Sequence, residues 1–155
     1  MQQYLEIAIS EATIGVQTGD GAPFGACIVK EGEVIAKSHD TVLKDQDATC
    51  HAEMNVIRMA SQQIDSYKLT DCVIYCTSEP CPMCLSAIYW SGIRECHYIS
   101  DRDMTHRYGF DDDVLYQELN NVGSQRKVQL HVQSELQQQV ENIFLIWQAK
   151  GLPPF

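Results

Sequence analysis

Two short segments constrain this chain more than any others: His51-Ala-Glu53 and, farther on, Pro80-Cys81-Pro-Met-Cys84. Each stands where a helix is predicted to begin, with one strand, 73–75, between them. Residues three apart in a first helical turn lie on neighbouring corners, so the sulfurs of Cys81 and Cys84 can reach a single ion. Pro82 suits the first turn of that helix. The helix dipole favours thiolate there, the form of cysteine that binds zinc. His51 adds a nitrogen ligand from the start of the preceding helix.

Three protein ligands leave a fourth tetrahedral position open to water, as catalytic zinc sites do. A carboxylate two residues beyond the histidine can sit beside that water. Glu53 is therefore the candidate to take up a proton and later return one to a leaving nitrogen. Three alternatives exist. Cys81 and Cys84 alone could be a redox pair or two packed thiols, although the surrounding pattern is not that of a thioredoxin-like strand. Cys76 or Cys50 could close the site as a fourth, purely structural ligand. Against that, Cys72 and Cys76 share strand parity with Ile74, on a face that reads as core.

The rest of the chain fits an α/β pattern. Residues 2–17 read as an amphipathic helix with Leu5, Ile9, Ala12 and Val16 on one face. Gly19, Asp20, Gly21 and Pro23 end it. Strands are expected at 24–30 and 34–37, joined at Glu31-Gly32 as a hairpin, and 39–50 reads as a polar loop. Helices follow at 51–62, set by Met54, Ile57 and Arg58, and at 80–90, closed by Ser91-Gly92. A strand at 95–99, a helix at 111–119 and an alternating strand at 128–132 come next. A last helix runs to about 150, with Ser134 and Gln137 placed to cap it. Strands alternating with helices imply an α/β three-layer sandwich, a mixed sheet of about five strands with helices on both faces. No repeat or linker divides residues 1–155, which read as a single domain with a tail.

The 155 residues carry a formal charge of -10, from 11 Lys and Arg against 21 Asp and Glu. Affinity for nucleic acid rests mainly on neutralising phosphates. Arg126-Lys127 is the only adjacent basic pair, so a nucleic-acid partner is not expected and a small neutral or cationic substrate is. No apolar run is long enough to span a membrane. The N-terminus lacks the pattern of a secretory signal. With seven cysteines, an odd number, a reducing, cytoplasmic setting is expected.

The pattern H-x-E followed by P-C-x-x-C is the signature of zinc deaminases, and the chain resembles the cytidine deaminase-like superfamily, within it the small bacterial guanine deaminases. The resemblance rests on Ala22-Pro-Phe-Gly-Ala26, Thr49-Cys-His-Ala-Glu53, Ser78-Glu-Pro-Cys-Pro-Met-Cys-Leu-Ser-Ala-Ile-Tyr-Trp90 and Gly109-Phe-Asp-Asp112. It runs from about residue 8 to 118. The tRNA adenosine deaminases share the first three segments but usually lack the fourth.

The resemblance implies one zinc per chain on His51, Cys81 and Cys84, with Glu53 as proton shuttle and Asp112 helping ammonia depart. It implies a base-binding pocket involving Asp40, Phe24, Ala52 and Trp90. It also implies a homodimer in which residues from about 120 to 155 exchange between subunits. The implied reaction is hydrolytic deamination of a purine-like base, guanine to xanthine and ammonia. Cytosine, guanosine or an aminotriazine are alternative substrates. A tRNA adenosine deaminase and a non-catalytic structural-zinc protein are further alternatives. Asp40 departs from the family, which has asparagine there. An amide offers a donor and an acceptor, whereas a carboxylate offers acceptors only.

Overall fold

In the computed structural model the strands, counted along the chain, lie in the order second, first, third, fourth. The model describes residues 1–122 and 125–151. A helix α1 (Gln2–Thr18) leads into strands β1 (Gly25–Lys30) and β2 (Glu33–His39). A short helix α2 (Val42–Asp45) and the longer α3 (Ala52–Gln63) follow. Then come β3 (Cys72–Ser78), α4 (Pro82–Trp90), β4 (Glu95–Ser100) and α5 (Arg102–Arg107). The hairpin forms where Glu31 and Gly32 adopt φ of 52° and 86°, the positive-φ pair that a tight two-residue turn needs. β1 pairs antiparallel with β2 and with β3, while β3 and β4 run parallel. Parallel neighbours require a crossover, and α4 is that crossover.

Strand alternation sorts the core into two layers. Ala26, Ile28, Ala36, Ile74 and Cys76 face α3 and α4, meeting Ala52, Val56, Ala60 and Ile88. Cys27, Val29 and Tyr75 point the other way, onto Tyr4, Leu5 and Ile7 of α1. The three-layer sandwich is as expected. Cys72 and Cys76 lie in the first core layer, as their parity required.

The buried face of α1 differs from expectation. Ala8, Glu11, Ala12 and Gly15 face inward, whereas Ile9 and Val16 are about half exposed. The reason is close approach. A Cβ at Gly25 would fall 2.1 Å from the Ala8 carbonyl oxygen, and one at Gly15 would fall 2.8 Å from the His39 ring. Only small residues fit where the helix lies on the sheet. Glu11 reaches Lys37 at 2.9 Å, so its burial is paired.

Among the described residues the sheet has four strands, not five. Residues 128–132 form no strand. Val128, Leu130 and Val132 are 70%, 71% and 91% exposed. Their alternation is that of a strand, but among the described residues no neighbour supplies ladder bonds. Helix α5 was not anticipated. It is N-capped by Asp101, whose side chain accepts the Met104 N–H at 2.9 Å, a signal readable in the sequence.

The chain divides into two compact units, residues 1–115 and 116–155. Helix α6 (Asp113–Asn120) begins at the end of the first. In the second, a short 3-10 turn over Ser134–Leu136 precedes α7 (Gln137–Ala149). Ser134 therefore opens the turn and makes no side-chain cap. Residues 152–155 of the tail expected to exchange lie outside the described residues, as do 123–124. Among the described residues no helix is long and apolar enough to cross a membrane.

Candidate active site

Two helix N-termini converge at the end of the sheet. His51 is the residue before α3 and Cys81 the residue before α4, both in extended conformation. Cys84 lies one turn into α4, with Pro82 at its first position. His51 Nδ1 stands 3.7 Å from Cys81 Sγ and 3.5 Å from Cys84 Sγ. The three donor atoms lie within 4.8 Å of one another. A nitrogen and a sulfur at ordinary zinc bond lengths and a tetrahedral angle stand about 3.6 Å apart. The donor set and its spacing therefore fit zinc. Among the described residues no fourth His, Cys, Asp or Glu joins this group. Cys50 sits 3.7 Å from the Arg58 guanidinium, and Cys76 belongs to the core.

Protons on the donors are unevenly held. Hydrogen bonds from Cys84 and from His51 pull the Cys81 thiol down to about 4, against burial. Cys84 moves far up, first because it donates to Cys81 and then because it is buried. His51 is raised, chiefly by its bond to Cys81. The pair thus carries one thiolate, ready for a metal, and one proton that binding must displace.

Glu53, in the first turn of α3, is 7% exposed, and its Oε2 lies 3.6 Å from Cys84 Sγ. Burial pushes its carboxyl up to about 7. A carboxyl that changes charge near neutrality can both accept and release a proton.

These groups open onto a cavity of about 770 Å³, within the range of small-molecule sites. Phe24 and Phe110 line it, edge to face at 5.0 Å, and offer flat apolar surfaces to a planar ring. Asp112 lines it from the loop before α6, with Arg102 Nε donating to Asp112 Oδ1 at 3.3 Å. Asp40 lines it from the loop after β2. Asn55 fixes that loop, its Nδ2 donating to the His39 carbonyl at 3.1 Å and to Thr41 Oγ1 at 2.9 Å.

The structure gathers His51, Cys81, Glu53, Asp40, Phe24 and Asp112 around one cavity. It places two expected residues elsewhere. Trp90 ends α4 and is 65% exposed, away from the lining, and Ala52, the first residue of α3, is buried in the core. A long aromatic at a helix end gives no sequence clue to which way it turns. Phe110, Arg102 and Asn55 were missed as site residues. Phe110 lies inside the Gly109-to-Asp112 segment and was legible there, whereas Arg102 and Asn55 act through tertiary contacts.

The zinc-binding region of the cytidine and deoxycytidylate deaminases matches residues 1–100 of this chain, and the chain belongs to that family. It is a zinc-dependent hydrolytic deaminase. The guanine deaminase of Bacillus subtilis is 39% identical over 127 residues, 82% of this chain and 81% of the relative. A solved structure of that species' guanine deaminase superimposes with a TM-score of 0.87 at 35% identity, covering 96% of this chain and 93% of the other. The tRNA-specific adenosine deaminase of Aquifex aeolicus is 40% identical over 94 residues, 61% of this chain and 62% of the relative.

Proposed function

We propose that this chain hydrolyses guanine to xanthine and ammonia. The observation that carries the reading is the joint geometry: three zinc-type donors within 4.8 Å of one another, with Glu53 Oε2 3.6 Å from one of them. The choice of guanine is supported by the likeness to the Bacillus subtilis guanine deaminase, which extends over 82% of the chain against 61% for the tRNA deaminase. A net charge of -10 also favours a small base over a polyanion.

His51, Cys81 and Cys84 hold the zinc in this reading. Zinc held there would supply Lewis-acid activation of the attacking water at neutral pH. Glu53 takes the proton given up by that water. It passes the proton to the ring nitrogen beside the carbon under attack and then serves the departing amine. The added hydroxyl gives up its proton to the amine through Glu53, the carbon–nitrogen bond breaks, ammonia leaves past Asp112, and the attacked carbon becomes a carbonyl. Phe24 and Phe110, packed edge to face, form one apolar wall against the base and keep bulk water from that side.

The working form in this reading is a cytoplasmic homodimer that exchanges the segment from about 120 to 155. Support comes from α7, where Ile143, Phe144, Leu145 and Ile146 are all more than half exposed. A run of apolar side chains of that size ordinarily meets a partner, here a second copy of this chain. The experiment that tests the function is an ammonia-release screen of zinc-loaded protein against guanine, guanosine, cytosine, aminotriazines and a tRNA anticodon stem-loop. Guanine should lead. Faster inosine formation in the stem-loop would transfer the chain to the tRNA-editing class.

A further inference from the structure

Three acidic side chains on the cavity wall, Asp40, Glu79 and Asp111, are left unused by the proton transfers, and of these only Asp40 is buried. Asp40 is 2% exposed, although it lines the cavity with His51 and Glu53. Its Oδ1 accepts two backbone N–H groups, from Ala22 at 2.9 Å and Val42 at 3.3 Å. The loop closes tightly on that oxygen. A Cβ at Gly21 would fall 2.1 Å from it, so only glycine fits there. Oδ2 has no hydrogen-bond partner among the described residues, and Lys, Arg and His form no ion pair with this carboxylate there.

That oxygen borders the cavity, and a ligand that displaces water from it must supply a hydrogen bond in return or leave the carboxylate unpaired, which is costly. Its complement is a hydrogen-bond donor from the ligand. A carboxylate oxygen opposes a ring-nitrogen lone pair, since both are acceptors, and attracts a ring N–H. Glu53, on α3, serves the edge of the base that reacts. Asp40 stands on a different element, the loop after β2, and is available to a donor that is neither on nor beside the reacting carbon. In guanine such a donor belongs to the five-membered ring, which carries one N–H when the base is free and none once either of its nitrogens is substituted.

Resting on the deaminase reading above, we propose that Asp40 selects free bases by accepting the N–H of the five-membered ring on Oδ2. Guanine substituted at either imidazole nitrogen, nucleosides included, turns a lone pair or a substituent toward that oxygen and is rejected. The selection acts on substrate ranking and is independent of metal loading. A site built to bond a substrate N–H discriminates strongly against an analogue without it, because the site's own polar group is left unpaired.

The test compares kcat/KM of zinc-loaded protein on guanine, on guanine methylated at each imidazole nitrogen, and on the isostere in which sulfur replaces the imidazole N–H. Wild type should prefer guanine over each analogue by about tenfold or more, equivalent to ~1.4 kcal/mol. The sulfur isostere removes the donor with little added bulk, so wild type alone decides between hydrogen bonding and collision. In Asp40→Asn the Oδ1 contacts persist and an amide donor faces the cavity, so the preference should shrink to about threefold or less. Equal use of guanine and the sulfur isostere by wild type overturns the proposal, and so does a preference unchanged in Asp40→Asn. Failure of the deaminase reading looks different: no base releases ammonia. Calorimetric affinities for guanine and the sulfur isostere then still decide, and equal affinities overturn the role of Asp40.

Discussion

Cys84 Sγ and Glu53 Oε2 lie 3.6 Å apart, which puts the buried acid of α3 directly against a metal-type donor of α4. Only two helices whose first turns meet can create that contact. The sulfur sits at the fourth residue of the Cys81-to-Cys84 segment, and the acid sits two residues after His51. A shift of either helix by one residue would carry one of them to another face.

The two cysteine roles separate by mutation. Cys81→Ser should remove bound zinc and activity together. Cys76→Ser should leave the zinc content at one per chain, because Cys76 lies in the core with Ile74. Metal analysis of the purified variants reads both. Loss of zinc from Cys76→Ser alone would favour a closed structural site.

Asp112 should matter for turnover and not for metal. Its carboxylate is braced by Arg102 Nε at 3.3 Å, which leaves the other oxygen for the cavity. Asp112→Asn should lower kcat on the order of tenfold or more, as the loss of a proton-handling group does, with zinc content unchanged. Arg102→Gln should produce a smaller fall in the same parameter. Unaltered kcat in both would make Asp112 a solvated loop acid.

Acid should loosen the loop that carries Gly21. His39 Nε2 bonds Asp20 Oδ2 at 2.9 Å, and this bond holds the Asp20 carboxyl below its ordinary value of 3.8. A depressed acid stabilises the folded state above its unfolded pKa and loses that contribution as pH falls through the folded one. Asp20→Asn should therefore lower Tm near neutrality and make progressively less difference as pH falls below 3.8 and through the carboxyl's depressed value. Thermal melts across that range check it, and an equal change in Tm at both ends would contradict the pairing.

Much of this architecture was legible in the sequence because its signals are local. Helix starts at His51 and Cys81 follow from ligand spacing, and the hairpin follows from Glu31-Gly32. Where reading failed, the cause was tertiary. The inward face of α1 is set by how closely it approaches Gly25, so Ala8 and Gly15 are buried while larger Ile9 is not. The alternation at 128–132 is a genuine strand pattern without a neighbouring edge. Trp90 and Phe110 are both aromatics near the motif residues, yet only Phe110 lines the cavity. No periodicity distinguishes them.

The exposed run on α7 bears on assembly. Light scattering should give a dimer for the full chain, and Phe144→Asp with Ile146→Asp should yield monomer. A wild-type monomer at micromolar concentration would remove the exchanged-segment proposal and leave the chemistry of residues 1–115 standing.

In the proposed reaction Glu53 moves the protons of zinc-dependent guanine deamination. The most direct test is single-turnover conversion of guanine to xanthine by zinc-loaded wild type and Glu53→Gln. Wild type should release one ammonia per xanthine. The variant should keep its zinc and its Tm while its rate falls about 10²–10⁴-fold, the usual worth of a general acid–base group. A rate within a few-fold of wild type, at equal zinc content, would contradict the account.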